Sequence, residues 1–271
     1  MNYIFILFLI LSFILALFAY WFIQHPPKII NEGFNEKNIV LITSKIITSN
    51  KKFNSGFRRS IYNKEERYKQ TIDTIESIRK YIPNSYILFI DNSHLPQFMK
   101  DRLASSVDTF LNPYQDQKLS EDTNSKSKAL CECSQTRYAI NHLKNLKINW
   151  QYLFKLTGRY IINESFDYSL YDNKEIIFRK QESDNSILSK LQEFIYGKKI
   201  KYQTSFYKIS RGSFNDYQKA INDIYISLKN DPDFGQLDWE LILPANLNNI
   251  KNVPNLGITI NCASFKMIER V

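Results

Sequence analysis

The chain is poor in the residues from which many active sites are assembled. Seven glycines in 271 residues leave little room for a glycine-built phosphate cradle. The patterns G-x-x-x-x-G-K-[ST], G-x-G-x-x-G and G-x-S-x-G are all missing, which sets aside P-loop nucleotide hydrolysis, the dinucleotide fingerprint and the serine-hydrolase elbow. The three histidines, His25, His94 and His142, stand far apart and without the H-E-x-x-H spacing of a zinc protease. Cysteine is as scarce: Cys131 and Cys133 are too close for a long-loop staple and Cys262 is left alone, so no disulfide framework is encoded. Acid is scarcer than base, with 27 Asp and Glu against 36 Lys and Arg and a net charge of +9. Those cations are scattered, with pairs at Arg58-Arg59 and Lys198-Lys199, and no zinc-finger, RNA-binding or helix-turn-helix pattern accompanies them. Nucleic acid is therefore not an expected partner. A polyanionic small substrate and a solvated basic surface near a membrane both suit the excess.

What is abundant is apolar. Residues 1–23, MNYIFILFLILSFILALFAYWFI, carry no charge, and about 20 apolar residues suffice to cross a bilayer as a helix. Without a basic leader or a clear small-residue cleavage site, the segment reads as an uncleaved single-pass anchor. Tyr20, Trp21 and Phe22 suit the interfacial belt, and Pro26 and Pro27 stop the helix. Residues 24–37 form a short stem, and 38–271 are expected to be one domain. Lys28 and Lys37 lie among Glu32 and Glu36, so the charge rule favours a cytosolic domain only slightly and leaves the side of the membrane open. One glycosylation sequon, Asn163-Glu164-Ser165, abuts a predicted strand.

The soluble part alternates strands and helices. "NIVLITSK" (Asn38 to Lys45) is a buried strand opening into a polar loop. A helix follows with Ile72, Ile75, Ile78 and Ile82 at helical spacing, Asn63 as N-cap and Pro83 as stop. "SYILFIDNS" (Ser85 to Ser93) is a second strand, and strand, helix, strand at this spacing makes a βαβ unit and an α/β fold with a mostly parallel sheet. Residues 111–128 are polar, without periodicity, and read as a mobile loop. A helix over "ALCECSQTRYAINHLKNL" delivers "YLFKLTGRYII" (Tyr152 to Ile162), read as one buried strand. Strands are predicted at Glu175 to Lys180, Thr204 to Ser210 and over "NLGITINCAS", with helices from Ser213 to Asn230 and over "DWELILPANLNN". No repeat period is visible.

Ligands of parallel sheets bind outside the carboxyl ends of the strands, which draws attention to Asp91 at the end of its strand, either a ligand contact or a turn cap. Lys155 and Arg159 place cations in or at the end of a buried strand, where a charge is costly unless it is paired. Either they meet an internal carboxylate such as Glu132, or they supply positive charge to a diphosphate. Gly158 permits a bend or a close backbone approach between them. Asp231-Pro232-Asp233 follows a helix and reads as a turn rather than a metal site. Asp238 and Glu240 stand at the head of a helix, where a base or merely a cap is equally at home.

The order "ITSK", "SYILFIDNS", "SKALCE", "FKLTGRYIIN" and a late "LDWE" resembles nucleotide-diphospho-sugar glycosyltransferases of the GT-A type, in particular viral and bacterial members with a K-[IL]-[ST]-G-R-Y segment. The resemblance covers most of the chain after the stem. It implies a Rossmann-like, mostly parallel sheet flanked by helices, and transfer of a sugar from a nucleotide donor to a glycan or other hydroxyl acceptor. Thr43, Ser44, Arg67, Asp91, Lys128, Lys155, Gly158 and Arg159 would then face the donor, with Asp91 on the nucleoside and Glu240, or failing it Asp238, as base. Gln70 on the same helix as Arg67 could also face the donor, and Lys128 with Glu132 resembles a lysine and glutamate found near it. "FKLTGRY" occupies the slot where many relatives carry a manganese-binding Asp-x-Asp. A divalent metal, Mn or Mg, thus remains open while cations take over its place. A rival reading is a catalytically inactive, membrane-tethered binding or structural protein on a transferase-like scaffold.

Overall fold

The computed structural model describes residues 36–56, 58–181, 201–231, 239–261 and 268–270, without the side chains of residues 240, 241, 268 and 269. The anchor over 1–23 and nearly all of the stem lie outside the described residues. Among the described residues no helix is long and apolar enough to cross a membrane.

The first βαβ unit forms where the sequence places it. Strand β1 (Lys37–Ser44) has seven consecutive buried positions, as a strand covered on both faces must. Helix α1 (Lys64–Tyr81) opens on a complete capping box: the Asn63 side chain accepts from Glu66 N at 2.8 Å, and Asn63 N donates to Glu66 Oε2 at 2.8 Å, satisfying two of the orphan donors at a helix start. Pro83 and Asn84, the latter at φ 49°, turn the chain into β2 (Ser85–Asp91), which pairs with β1 in parallel. Helix α2 (Gln97–Ser106) and the short strand β3 (Thr109–Leu111) follow.

The polar stretch 111–128 differs from expectation. It contains helix α3 (Gln117–Thr123), whose N-cap Asp116 accepts from Leu119 N at 2.9 Å. Seven residues with only Leu119 as a buried apolar side chain give no periodic signal, so the helix rests on its cap and on packing. Helix α4 (Lys128–Asn145) starts from Ser127. "YLFKLTGRYII" is not one strand. Strand β4 (Trp150–Thr157) ends in a turn at Gly158 and Arg159, and β5 (Tyr160–Ile162) continues in a different sheet. Strands β6 (Ile176–Lys180) and β7 (Tyr202–Ser210) and helices α5 (Phe214–Asn230) and α6 (Trp239–Ala245) follow where predicted, as does the later strand within "NLGITINCAS". Strands β8 (Ile250–Asn252), β9 (Ile258–Asn261) and β10 (Ile268–Arg270) end the chain.

The seven-stranded sheet runs β3-β2-β1-β4-β7-β6-β8, and β5, β9 and β10 form a three-stranded one. β7 is antiparallel to both its neighbours, whereas β1, β2, β3 and β4 are mutually parallel. Alternate residues of β1 point to opposite layers. Ile39 and Leu41 pack with α4, α5 and α6, while Val40 and Ile42 pack with α1, α2 and the small sheet. The result is an α/β fold with a mostly parallel sheet between helical layers. The chain proceeds outward from β1 through β2 to β3, then crosses back to place β4 on the other side of β1. Such a reversal opens a crevice at the carboxyl ends of the two strands that flank it, here β1 and β4.

The buried ammonium of Lys208, in β7, is satisfied: it donates to the carbonyls of Asn173 and Glu175, at 2.5 and 2.7 Å, and burial lowers its pKa to about 8. Asn163 of the sequon is buried, and its Nδ2 donates to Thr259 Oγ1 at 3.1 Å, which does not suit glycan attachment.

Gly257 sits at φ 69°, and a Cβ there would collide with the backbone of Phe166. Gly56 has a similar φ of 79° but open space around it. We expect Gly257→Ala to lower stability by about 2 kcal/mol or more, and Gly56→Ala by about 1 kcal/mol. Thermal unfolding of the two variants checks this; equal losses would show that conformation alone, and not the contact with Phe166, fixes the glycine.

Candidate functional site

The crevice is lined by the ends of β1 and β4 and by the first turns of α1. Thr43 of β1 pairs with Thr157 of β4, and Ser44 with Asp91 of β2. Gly158 is the closest approach in this corner: a Cβ on it would lie 3.0 Å from Ser44 Cβ and 3.3 Å from Ile42 Cγ2. Its N–H donates to Thr43 O at 3.0 Å, and its carbonyl accepts from Thr71 Oγ1 at 2.9 Å. The turn is thus fastened to β1 on one side and to α1 on the other. Arg67 lies one helical turn before Thr71, on the same face of α1.

That geometry brings two guanidinium groups together. Arg67 is buried, 3 % exposed, and spends its Nε and Nη2 on the carbonyl of Lys45, at 3.0 and 2.7 Å. Its Nη1 is buried without a hydrogen-bond partner, as is Nε of the half-buried Arg159. Burial first, and then the neighbouring Arg159 charge, push the Arg67 guanidinium down to about 9, against a smaller opposing pull from Asp91. Gln70 Oε1, one turn along α1, is also buried and unpartnered. Buried polar groups are ordinarily satisfied; here three unsatisfied ones lie on the elements that bound a single crevice.

Asp91 is fully buried, and both its carboxylate oxygens serve the loops: Oδ2 accepts from Ile46 N at 2.7 Å and Oδ1 from Ser93 N at 2.8 Å. This is the turn-bracing role weighed against a ligand contact. Lys155 does not join Arg159. It points to the opposite face of the sheet, where its ammonium lies 3.7 Å from Glu132 Oε2 of α4 and 3.2 Å from Thr157 Oγ1. Glu132 is the internal carboxylate weighed for it beside a diphosphate. Lys128 stands exposed at the first turn of α4. Asp238 and the side chain of Glu240 lie outside the described residues, as does most of Asp231-Pro232-Asp233. Among the described residues no three His, Cys, Asp or Glu side chains converge as metal ligands. At the end of β4, Gly158 and Arg159 do not fit a divalent ion.

Two cations escaped the sequence reading. Lys45, directly after Ser44, donates to Asn124 Oδ1 at 2.8 Å and Thr123 Oγ1 at 3.2 Å, and burial lowers its pKa to about 8. Arg59 uses every donor it has: Nε on Lys51 O, Nη1 on Thr123 O and Cys131 Sγ, Nη2 on Asn124 O and Ser125 O. It thereby neutralises the carboxyl end of α3 and joins the loop after β1 to the loop before α4. The only sequence signals were the adjacency of Lys45 to the strand end and the Arg58-Arg59 doublet. The described cleft of about 290 Å³ lies elsewhere, between α3, α4 and α5, lined by Asp116, Arg137, His142 and Tyr225 among others; its position on the outer helical layer separates it from the strand ends.

No protein-family model matches the chain, and no curated protein resembles it in sequence. Solved structures with a similar chain path include core-mannan synthase A (CmsA/Ktr4) of Aspergillus fumigatus in its Mn/GDP form, at 12 % identity over 80 % of this chain and 71 % of that one, TM-score 0.48. Mouse xyloside xylosyltransferase 1 is similar at 7 % identity over 80 % and 85 %, TM-score 0.44. The mannosyltransferase Ktr4p of S. cerevisiae is similar at 11 % identity over 80 % and 68 %, TM-score 0.43. Likenesses of this degree say nothing about which residues act.

The lowered pKa values set opposite pH trends for folding and for anion binding. A base whose folded pKa lies below its unfolded one makes the folded state shed protons first, so the ligand-free protein gains stability as pH rises from about 8 toward 10 through Lys45 and Lys208. Over the same window Lys45 loses charge while the guanidinium groups keep theirs, and anions should bind less well. Sulfate does not titrate in this range and is a clean probe. We expect its stabilisation of the protein, measured against chloride at equal ionic strength, to fall at least several-fold between pH 7.5 and 10; a flat profile would mean that Lys45 does not help to hold anions.

Proposed function

We propose that the chain transfers a sugar from a nucleotide-diphosphate donor to a hydroxyl of a glycan or other acceptor, and that residues 1–23 hold it at a bilayer. The observation that supports this best is the pair of the buried Arg67 and the half-buried Arg159 at the carboxyl ends of β1 and β4, whose buried Nη1 and Nε have no hydrogen-bond partner among the described residues. A diphosphate supplies what the pair lacks: two linked anionic groups with oxygens that accept from guanidinium forks. In the reaction the acceptor oxygen bonds to the anomeric carbon, the bond from that carbon to the diphosphate oxygen breaks, and the acceptor proton passes to a carboxylate. We assign that base to Glu240, with Asp238 as its alternative. The electron pair leaves on the diphosphate, and the fixed guanidinium charges stabilise it where it develops. Thr43, Ser44 and Gly158 shape the floor against which the donor lies. Asp91 acts through the loop that it braces, and Lys128 at the head of α4 faces the donor.

One observation favours a binding protein without turnover. Asp91 is the carboxylate described at this edge, and backbone N–H groups occupy both its oxygens. The two readings part on chemistry and share the anion site.

The full chain should be stabilised by UDP or GDP, by about 2.7 kcal/mol at a hundredfold excess over Kd, which raises Tm by several degrees. Arg159→Met should abolish that rise while leaving the ligand-free Tm unchanged or slightly higher, because it removes a like charge beside Arg67. Hydrolysis or transfer from a panel of UDP- and GDP-sugars then decides between enzyme and binder. Stabilisation by neither nucleotide, or a full shift in Arg159→Met, would overturn the site.

A further inference from the structure

The rim of the crevice carries more positive charge than a nucleotide donor can use. Between Lys45 and Tyr62, and between Thr123 and Cys131, the sequence contains no Asp or Glu and seven cations: Lys45, Lys51, Lys52, Arg58, Arg59, Lys126 and Lys128. The fold places these two stretches against each other. Arg59 ties the carbonyl of Lys51 to those of Asn124 and Ser125, and Asn54 N donates to Lys126 O at 2.9 Å. A cationic track results. It starts at the half-buried Arg159 and the buried Arg67, passes through Lys45, whose carbonyl holds Arg67 and whose ammonium reaches Thr123 and Asn124, and emerges at Lys51, Lys52 and Lys126. Those three are exposed and make no ion pair among the described residues. Like charges gathered without counter-charge oppose folding, and nothing in the packing requires lysine at these positions.

We infer that this rim receives an acidic acceptor, a glycan whose units carry carboxylate or phosphate groups. The inference rests on the donor reading, because the nucleotide is taken to occupy the inner pair. An acceptor must approach from solvent with its hydroxyl toward the donor carbon, and the loops at the mouth are the surface it crosses. A bilayer fits less well. Among the described residues the large exposed apolar side chains are Phe98, Leu170 and Ile226, none of them in these loops, and Phe53 is engaged beneath the Arg59 guanidinium at 4.5 Å. A surface that dips into lipid presents apolar side chains between its cations.

The test uses the full chain with two polymer probes, polygalacturonate and inorganic polyphosphate, and compares two triple variants of equal charge loss. Lys51→Gln/Lys52→Gln/Lys126→Gln removes the rim. Lys144→Gln/Lys174→Gln/Lys219→Gln removes three exposed lysines elsewhere. We expect the rim variant to bind one of the polymers at least tenfold more weakly, with a flatter salt dependence as fewer counterions are released. The distant variant should change less than twofold, and the Tm shift by UDP or GDP should persist in both. The polymer with the larger loss identifies carboxylate or phosphate as the recognised group. Equal losses in the two variants, failure of the wild type to bind either polymer, loss of the nucleotide shift in the rim variant, or a tenfold loss confined to phosphatidylglycerol vesicles would each overturn the acceptor reading. A wild type that binds polymer but shows no nucleotide shift would overturn the donor reading instead, and with it the assignment of the rim polymer as acceptor.

Discussion

The guanidinium groups of Arg67 and Arg159 share one corner of the molecule, where each charge opposes the other, and the bonds around the crevice hold them there. Like charges brought close at a partly buried site repel, and burial together with the Arg159 charge lowers the Arg67 pKa. Left to themselves the two side chains would swing apart into water. They are held because Gly158 lies directly against Ser44, where a side chain would have to push β1 and the turn apart. Bonds from Gly158 N to Thr43 O and from Thr71 Oγ1 to Gly158 O then clamp that turn to the strand and to α1. Arg67 is anchored from the other side by the carbonyl of Lys45. A site prepared in this way meets an anion without reorganising, which is the condition under which fixed charge stabilises a developing one most effectively.

Much of this corner depends on groups that never touch a ligand. The carbonyl that anchors Arg67 belongs to a loop whose course is set by Asp91, accepting from Ile46 N, and by Lys45, reaching across to α3. Gln135 of α4 donates to Ser44 O and to Asn92 Oδ1, so the end of β1 is fixed from the opposite layer as well. Asp91 therefore illustrates how a strand-end carboxylate can matter to a site by bracing it. Its loss would release Ile46 and Ser93 together and let the loop beside Arg67 drift.

The sequence disclosed the parts of this arrangement that are local. Strand β1, helix α1 and strand β2 were legible because capping chemistry, a stop at Pro83 and continuous branched apolar runs all act within a few residues. The position of Asp91 at the end of β2 followed from that. Helix α3 was not legible, since one apolar contact and an aspartate cap give no period to detect. The break in "YLFKLTGRYII" was hidden for a different reason: its residues are apolar on both sides of the turn, and only the small sheet with β9 decides that Tyr160 to Ile162 leave the main one. Lys45 and Arg59 escaped because their partners, Thr123 to Ser125, lie more than sixty residues away in sequence.

What separates structural from functional cations here is the identity of their partners, and a strand's alternation helps assign it. Lys155 projects toward α4 and meets Glu132, while Arg159, released from the strand by the turn at Gly158, meets α1 and finds Arg67. Lys208 and Arg59 are as deeply placed, yet their donors reach backbone carbonyls and the cost of burying them is offset. By this criterion depth and charge are not sufficient to mark a binding residue. An unfilled donor is the sharper sign, because folding has no use for it and a ligand does. Applied to the cations described, it returns the buried Arg67 and the half-buried Arg159, each with a buried nitrogen left unfilled, and the reversal of strand order between β1 and β4 places both at a crevice.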